Sequence, residues 1–264
     1  MRKPLRRVLW GVVAVCVTGT VPAAAQDAPA IDAARDTEPA SMTCGAGSDF
    51  PIGGGDFFLC INRHGNLARF TSPSGFEHIN VAPVVAEGYV VCSASGTHGY
   101  DVGSIESGFG DPVVLASGAS SVTIRRVTLD GQLQLDQKWT RDTGERDITV
   151  QMTLTNLAGV KTNVKLLRYV DFDADGDPGD DRYDLSQRAG WVRDARSLTM
   201  TALTYNIPSI VTMQSPVNPV SITDCVPGSV PVPGTGDVDV NLVYYIGNMA
   251  VGAKKVMKVG YRVQ

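Results

Sequence analysis

From about residue 57 to residue 263 the apolar residues of this chain alternate with polar ones in short runs, each closed by turn formers. A repeat of two places successive side chains on opposite faces of a strand, whereas an amphipathic helix needs a repeat near 3.6. The runs are Phe57–Asn62, Leu67–Thr71, Tyr89–Ser93, Val113–Ala116 and Val122–Leu129, and no segment keeps a helical period for long. The clearest hairpin joins Val122–Leu129 to Gln132–Trp139 through Asp130-Gly131, a dipeptide suited to the positive φ angles of a two-residue turn. A second pair of runs, Asp147–Asn156 and Asn163–Val170, is linked by a loop containing Gly159. Further runs follow at Ser197–Tyr205, Ile210–Met213, Val238–Ile246 and Lys255–Val263. Short connections without helical material exclude parallel crossovers. The expected fold class is therefore all-β, an antiparallel two-sheet β-sandwich with long loops.

The N-terminus has the three parts of a secretory signal peptide. Arg2, Lys3, Arg6 and Arg7 precede an apolar run from Val8 to Val17, and Ala23-Ala24-Ala25 ends it with small residues. We expect residues 1–25 to be a signal peptide, 26–43 a flexible lead rich in Ala, Asp, Pro and Thr, and 44–264 a single β-sandwich domain, secreted or periplasmic. Cleavage would remove four basic residues and no acids from totals of 23 and 27, leaving a net charge of about −8. Such a charge disfavours nucleic acid and, after cleavage, an anionic membrane surface as partners, because the mature chain has no basic stripe to meet their phosphates. The cysteines beyond the signal peptide, Cys44, Cys60, Cys92 and Cys225, are even in number, and export favours disulfides. Three connectivities are open. The favoured one pairs Cys44 with Cys60 and Cys92 with Cys225. A Pro- and Gly-rich connection, Ser215–Gly236, carries Cys225.

The densest chemistry is Asp171-Phe172-Asp173-Ala174-Asp175-Gly176-Asp177, followed by Asp180, Asp181 and Asp184. Alternating carboxylates followed by a glycine suit a hard cation held by several oxygens. The spacing resembles the D-x-D-x-D-G start of many extracellular calcium sites. The twelfth position is Arg182 where an EF-hand carries a bidentate Glu, so the expected site is a non-EF calcium loop. Its expected ligands are Asp171, Asp173, Asp175 and Asp177, completed by Asp181 or Asp184, and its cofactor is a structural calcium ion. The competing reading is a solvated acidic segment.

No catalytic constellation is legible. His64, His78 and His98 read as isolated surface histidines, since they lack the spacing of a metal-binding helix. No G-x-S-x-G occurs. Glycoside hydrolysis needs two carboxylates across a cleft, for which Glu77, Glu87, Asp101, Glu106 and Asp111 are candidates. Trp139, Trp191, Tyr100 and Phe109 could stack on sugar rings or anchor the core. Residues 238–264 resemble the closing strand pair of many carbohydrate-active sandwich domains. The sequence reading is a secreted, calcium-stabilised, non-catalytic β-sandwich module with a binding or structural role. Its alternative is a carbohydrate-active enzyme or sugar-binding domain with a structural calcium ion, and the ligand class left open includes carbohydrate.

Overall fold

The structure is a computed structural model that describes residues 50–54, 57–71, 77–79, 87–102, 105–141, 147–174, 179–194, 197–215 and 222–264. The expected signal peptide, the flexible lead and Cys44 lie outside the described residues, as do Asp175 and Asp177. The described residues all fall within one compact unit, Ala34–Gln264.

Strands account for the regular structure: β1 (Phe50–Gly54), β2 (Phe57–Ile61), β3 (Leu67–Thr71), β4 (Glu87–Ser93), β5 (Gly96–Val102), β6 (Ile105–Ser107), β7 (Val113–Gly118), β8 (Ser121–Val127) and β9 (Leu133–Arg141). The second half adds β10 (Asp147–Asn156), β11 (Lys161–Asp171), β12 (Arg182–Leu185), β13 (Ala189–Arg193), β14 (Ser197–Ala202), β15 (Ser209–Gln214), β16 (Gly234–Thr235), β17 (Asp239–Met249) and β18 (Lys254–Val263). They build a nine-stranded sheet in the order β16-β12-β13-β14-β18-β10-β9-β8-β7, a six-stranded sheet in the order β15-β17-β11-β4-β5-β6, and a small sheet β1-β2-β3. The fold is the antiparallel β-sandwich that the alternation implies.

The two large sheets bury different amounts of surface. In the nine-stranded sheet β8, β9 and β14 alternate throughout and β10 does so as far as Leu154, with Val122, Ile124, Leu133, Leu135, Ile148, Val150, Leu198 and Met200 facing the core. In the six-stranded sheet β4, β11 and β17 are buried on both faces over most of their length. Their second face carries a separate apolar cluster of Val90, Cys92, Val102, Leu167, Tyr169, Ile222, Cys225 and Val243. Ile222 and Cys225 come from the long connection, which is laid over that face and tied down by a disulfide between Cys92 and Cys225. Cys60 is disulfide-bonded as well.

Two connections depart from a simple reading of neighbouring runs. The runs at β10 and β11 do not form a hairpin: β10 pairs with β9 and β18, and β11 with β4 and β17. The closing strands β17 and β18 likewise belong to different sheets. Both links cross the sandwich side by side and are stitched by Asn156, whose side-chain amide donates to the carbonyls of Gly159 and Met249. A strand whose two neighbours come from elsewhere in sequence gives no local sign of which sheet it joins.

One ion pair is sealed between the sheets. Arg168 on β11 meets Glu87 on β4, and both side chains are fully buried. Arg168 also donates to Tyr261 Oη at 2.9 Å, Gln137 Oε1 at 2.6 Å and the Gly65 carbonyl at 3.2 Å, and lies over the Trp139 ring. Breaking such a pair by removing one partner typically costs about 3–5 kcal/mol, because the remaining charge stays buried.

Candidate functional site

The β2–β3 turn is inserted toward this ion pair and positions the first functional side chain. Asn62 shapes the turn by accepting the backbone N–H groups of His64 and Asn66, both at 3.0 Å. The Gly65 carbonyl accepts from Trp139 Nε1 at 2.9 Å, and the His64 carbonyl accepts from Tyr89 Oη at 2.7 Å. Gly65 has φ 91°, and a Cβ there would fall 2.3 Å from Gln137 Nε2, so the turn requires glycine. Gripped in this way, the turn holds the His64 ring at the margin of the sandwich with its side chain 39% exposed.

Asp101 on β5 and Glu106 on β6 stand directly opposite each other. Like charges so placed repel, and here the protein supplies the counter-charges. Arg126, reaching across from β8 with its side chain buried, donates to Asp101 Oδ2 at 3.1 Å and makes a close ion pair with Glu106. His64 Nδ1 lies 2.8 Å from Asp101 Oδ2 and 3.1 Å from Glu106 Oε2. Asn66 Nδ2 donates to the other Asp101 oxygen at 2.7 Å. The hydrogen bond from Asp101 raises the His64 pKa above its usual value, an effect that burial and Arg126 oppose and that the charges of Asp101 and Glu106 reinforce.

The cluster opens on a cleft of about 420 Å³ lined by His64, Glu106, Phe109, Asp111, Arg126 and Leu129. Phe109 is fixed beneath the Arg126 guanidinium, 5.2 Å from its ring centroid. It is delivered by Gly108, which has φ 77° and where a Cβ would meet the His98 carbonyl at 2.3 Å. Asp101 and Glu106 do not face each other across this cleft. Their ligand oxygens lie within 4.8 Å of each other and share one histidine and one arginine, whereas glycosidase carboxylates sit about 5–9.5 Å apart on either side of the scissile bond. A carboxylate orients the histidine and a second carboxylate stands beside it, a geometry suited to proton transfer.

The three histidines are thus not isolated surface groups. His78 is fully buried and packs edge-on against Phe70. His98 is buried with Nδ1 2.7 Å from Asp130 and Nε2 2.8 Å from Ser93 Oγ, so both ring nitrogens are used structurally. Nothing in their sequence spacing brings His64 to Asp101; the contact follows from how the β2–β3 turn docks. Among the other candidate acids, Glu87 is consumed by Arg168, Asp111 rims the cleft, and Glu77 is partly buried and accepts the Phe70 N–H at 2.6 Å. Desolvation pushes the Glu77 carboxyl up to about 7, against the pull of the Phe70 N–H and Arg69. Of the aromatic candidates Trp139 is wholly buried, Tyr100 packs on the second apolar cluster, Trp191 lies beneath Arg193, and Phe109 alone of these four lines the cleft.

The acidic loop forms a second cluster. Asp171 ends β11, and its carboxylate, that of Asp173 and that of Asp237 lie within 4.8 Å of one another. Asp237, just before β17, was not singled out in the sequence, although Asp237, Asp239 and Asn241 alternate there as Asp171 and Asp173 do. Asp181 is buried, and its Oδ2 accepts the Ala174 N–H at 3.0 Å. Burial raises its carboxyl to about 8; Asp173, Asp194 and Asp180 add to the rise, and the Ala174 N–H opposes it. At the effective dielectric of a protein, each pair of ionised carboxylates at such separations costs about 3–4 kcal/mol.

No known protein-family profile and no curated protein sequence matches this chain. Solved structures do. A protein from Escherichia coli K12 with a provisional aldose 1-epimerase assignment superposes with a TM-score of 0.57 at 9% identity, over 81% of this chain and 98% of its own. A galactose mutarotase-like protein from Lactobacillus casei gives 0.50 at 11% identity over 81% and 99%. The fold is that of the galactose mutarotase-like sandwiches. A bacterial glucoamylase in complex with acarbose gives 0.56 at 6% identity, matching 87% of this chain but 35% of the glucoamylase, so the sandwich also occurs as part of a longer chain.

Proposed function

We propose that this protein is a carbohydrate-active β-sandwich that takes a free monosaccharide in the His64 cleft and transfers protons at its anomeric centre. The observation that carries the reading is the Asp101–His64–Glu106–Arg126 cluster at the cleft, where acid and base stand side by side and both are oriented by buried partners. Protein folds of this shape described for aldose epimerisation and for sugar hydrolysis favour a sugar as ligand, although fold alone does not fix function.

Interconverting anomers requires the C1–O5 bond to break and re-form. A base takes the proton of the anomeric hydroxyl as an acid gives one to the ring oxygen; the open aldehyde turns and closes again with both transfers reversed. His64, whose raised pKa keeps it protonated nearer neutrality, is the acid, and Glu106, partly exposed in the cleft, is the base. Asp101 fixes the His64 ring, and Arg126 holds the two carboxylates in place. Residues 1–25 act in this reading as an export signal, so the domain works in a secreted or periplasmic setting. The second reading, favoured by the partial match to the glucoamylase, is a sugar-binding domain without turnover.

The test is NMR of the protein with free hexoses, reading ligand contact by saturation transfer and anomer exchange by magnetisation transfer. Enzyme-catalysed exchange should fall by roughly 100-fold or more in His64→Gln and should decline as pH rises through the raised His64 pKa. Binding without exchange supports the second reading. Hexose contact that is absent, or unchanged in both His64→Gln and Arg126→Gln, removes the cleft from consideration.

A further inference from the structure

Away from the His64 cleft, we propose that Asp171, Asp173, Asp181 and Asp237 together hold one calcium ion, which fastens the 215–238 connection to the end of the six-stranded sheet. The site differs from a contiguous calcium loop. Asp171 and Asp173 come from the end of β11, Asp181 from the entry to β12, and Asp237 from the far end of the connection, so the ion would join three separate segments.

Three observations converge. The carboxylate oxygens of Asp171, Asp173 and Asp237 lie within 4.8 Å of one another, and the first two residues are buried. Oxygens bound to calcium at about 2.3–2.6 Å can be no farther apart than about 5 Å, so one ion can reach all three. Asp181 supplies the independent indication. It is 1% exposed, and while Oδ2 takes the Ala174 N–H, Oδ1 is buried with no hydrogen-bond partner. Its backbone and side-chain bonds place it beside the cluster: Ala174 adjoins Asp173, and the Asp181 carbonyl accepts the N–H of Gly236, which adjoins Asp237. A buried carboxyl oxygen without a donor is costly, and a cation meeting it would satisfy the oxygen and hold the carboxyl ionised.

The third observation lies in the strand register. Asp171 and Asp239 are directly opposite on β11 and β17, and Asp239 is fully buried. Two residues on, Asn241 donates from Nδ2 to Asp239 Oδ1 at 2.6 Å and keeps its own Oδ1 buried without a partner. Several anionic and neutral oxygens with no nitrogen or sulfur donor suit a hard cation, and a carboxylate-rich shell favours calcium over magnesium, which keeps its waters. The disulfide fixes the connection at Cys225, and the ion would fix it near Asp237.

Isothermal titration of the whole chain with calcium chloride, joined to thermal melts in calcium, magnesium or chelator, tests this. The expected result is about one ion per chain, a melting temperature raised by calcium well beyond magnesium, and at least a tenfold weaker dissociation constant in Asp237→Asn. Asp237 is only half buried, so this near-isosteric change should leave a folded protein. Asp224→Asn, an exposed acid on the same connection, should keep the parent response. Calcium should also slow proteolysis within 215–238. No calcium-dependent heat or melting shift in the parent, an equal response to magnesium, or an unchanged response in Asp237→Asn would overturn the proposal.

Discussion

Two acidic clusters among the described residues are built in opposite ways. At the His64 cleft, Asp101 and Glu106 lie within 4.8 Å of each other, as Asp171, Asp173 and Asp237 do, yet a buried arginine and a histidine answer their charge. Around Asp181 the charged neighbours that act on its carboxyl are Asp173, Asp194 and Asp180, all acids. A charge-balanced cluster can meet a neutral, hydroxyl-rich ligand with donors and acceptors already in place. One in which a buried carboxyl is acted on by other acids suits a cation. On the two proposals made above, the difference separates a site for chemistry from a site for architecture, although both are described by the same word, acidic.

The comparison breaks most readily at Arg126. Arg126→Gln should cost about 3 kcal/mol or more in urea unfolding, since it leaves Asp101 uncompensated in a buried position. It should also make the cleft respond to calcium, because three potential ligands, His64, Asp101 and Glu106, then stand without their guanidinium. A variant that loses little stability and gains no calcium response would show that Arg126 does not balance the cluster.

Next in size is the clamp on the connection. The double change Cys92→Ser with Cys225→Ser should cost about 2–4 kcal/mol and weaken calcium binding several-fold, as Asp237 is then less firmly presented. Equilibrium unfolding with and without calcium reads both effects; additive losses would mean that the two ties act independently.

Glu77 is an intermediate case, a partly buried acid whose Arg69 partner stands 3.5 Å away. Its folded pKa of about 7 lies above the ordinary 4.5. Between those values the folded protein holds a proton that the unfolded chain has lost, so stability falls as pH rises from about 4.5 to 7. At about 1.4 kcal/mol per unit the loss is a few kcal/mol at most, and Glu77→Gln should flatten that part of a stability–pH curve. An identical slope in the variant would place the titration elsewhere.

The smallest effect is expected at His64. Its raised pKa contributes stability that is present below about 6.5 and lost as pH rises through the folded value. The side chain is more than a third exposed, so solvent screening holds the difference between parent and His64→Gln below about 1 kcal/mol. A larger penalty in chemical denaturation would recast His64 as a structural residue.

How much of this could be read from the sequence depended on how local the signal was. Asp130-Gly131 and the alternation on either side of it specify the β8–β9 hairpin, because turn chemistry and period both lie within twenty or so residues. Strand β5, Gly96-Thr97-His98-Gly99-Tyr100-Asp101-Val102, escaped notice because its two glycines and its polar residues hide the period, yet it carries Asp101. Gly99 packs against the Phe109 ring, where a Cβ would lie 2.9 Å from the ring carbons. The acidic loop advertised Asp171, Asp173 and Asp181, but Asp237 comes beside Asp171 and Asp173 through the pairing of β17 with β11. His64 and Arg126 meet Asp101 across 37 and 25 residues, a convergence of two sheets and a turn that no local period encodes.

The most direct test of the account is the difference and anomalous electron density of a crystal soaked in calcium and a free hexose. The account predicts a calcium peak among Asp171, Asp173, Asp181 and Asp237, no ion between Asp101 and Glu106, and hexose density in the cleft with its ring oxygen or anomeric hydroxyl against His64. A cation seated between Asp101 and Glu106, or a hexose bound away from His64, would contradict it.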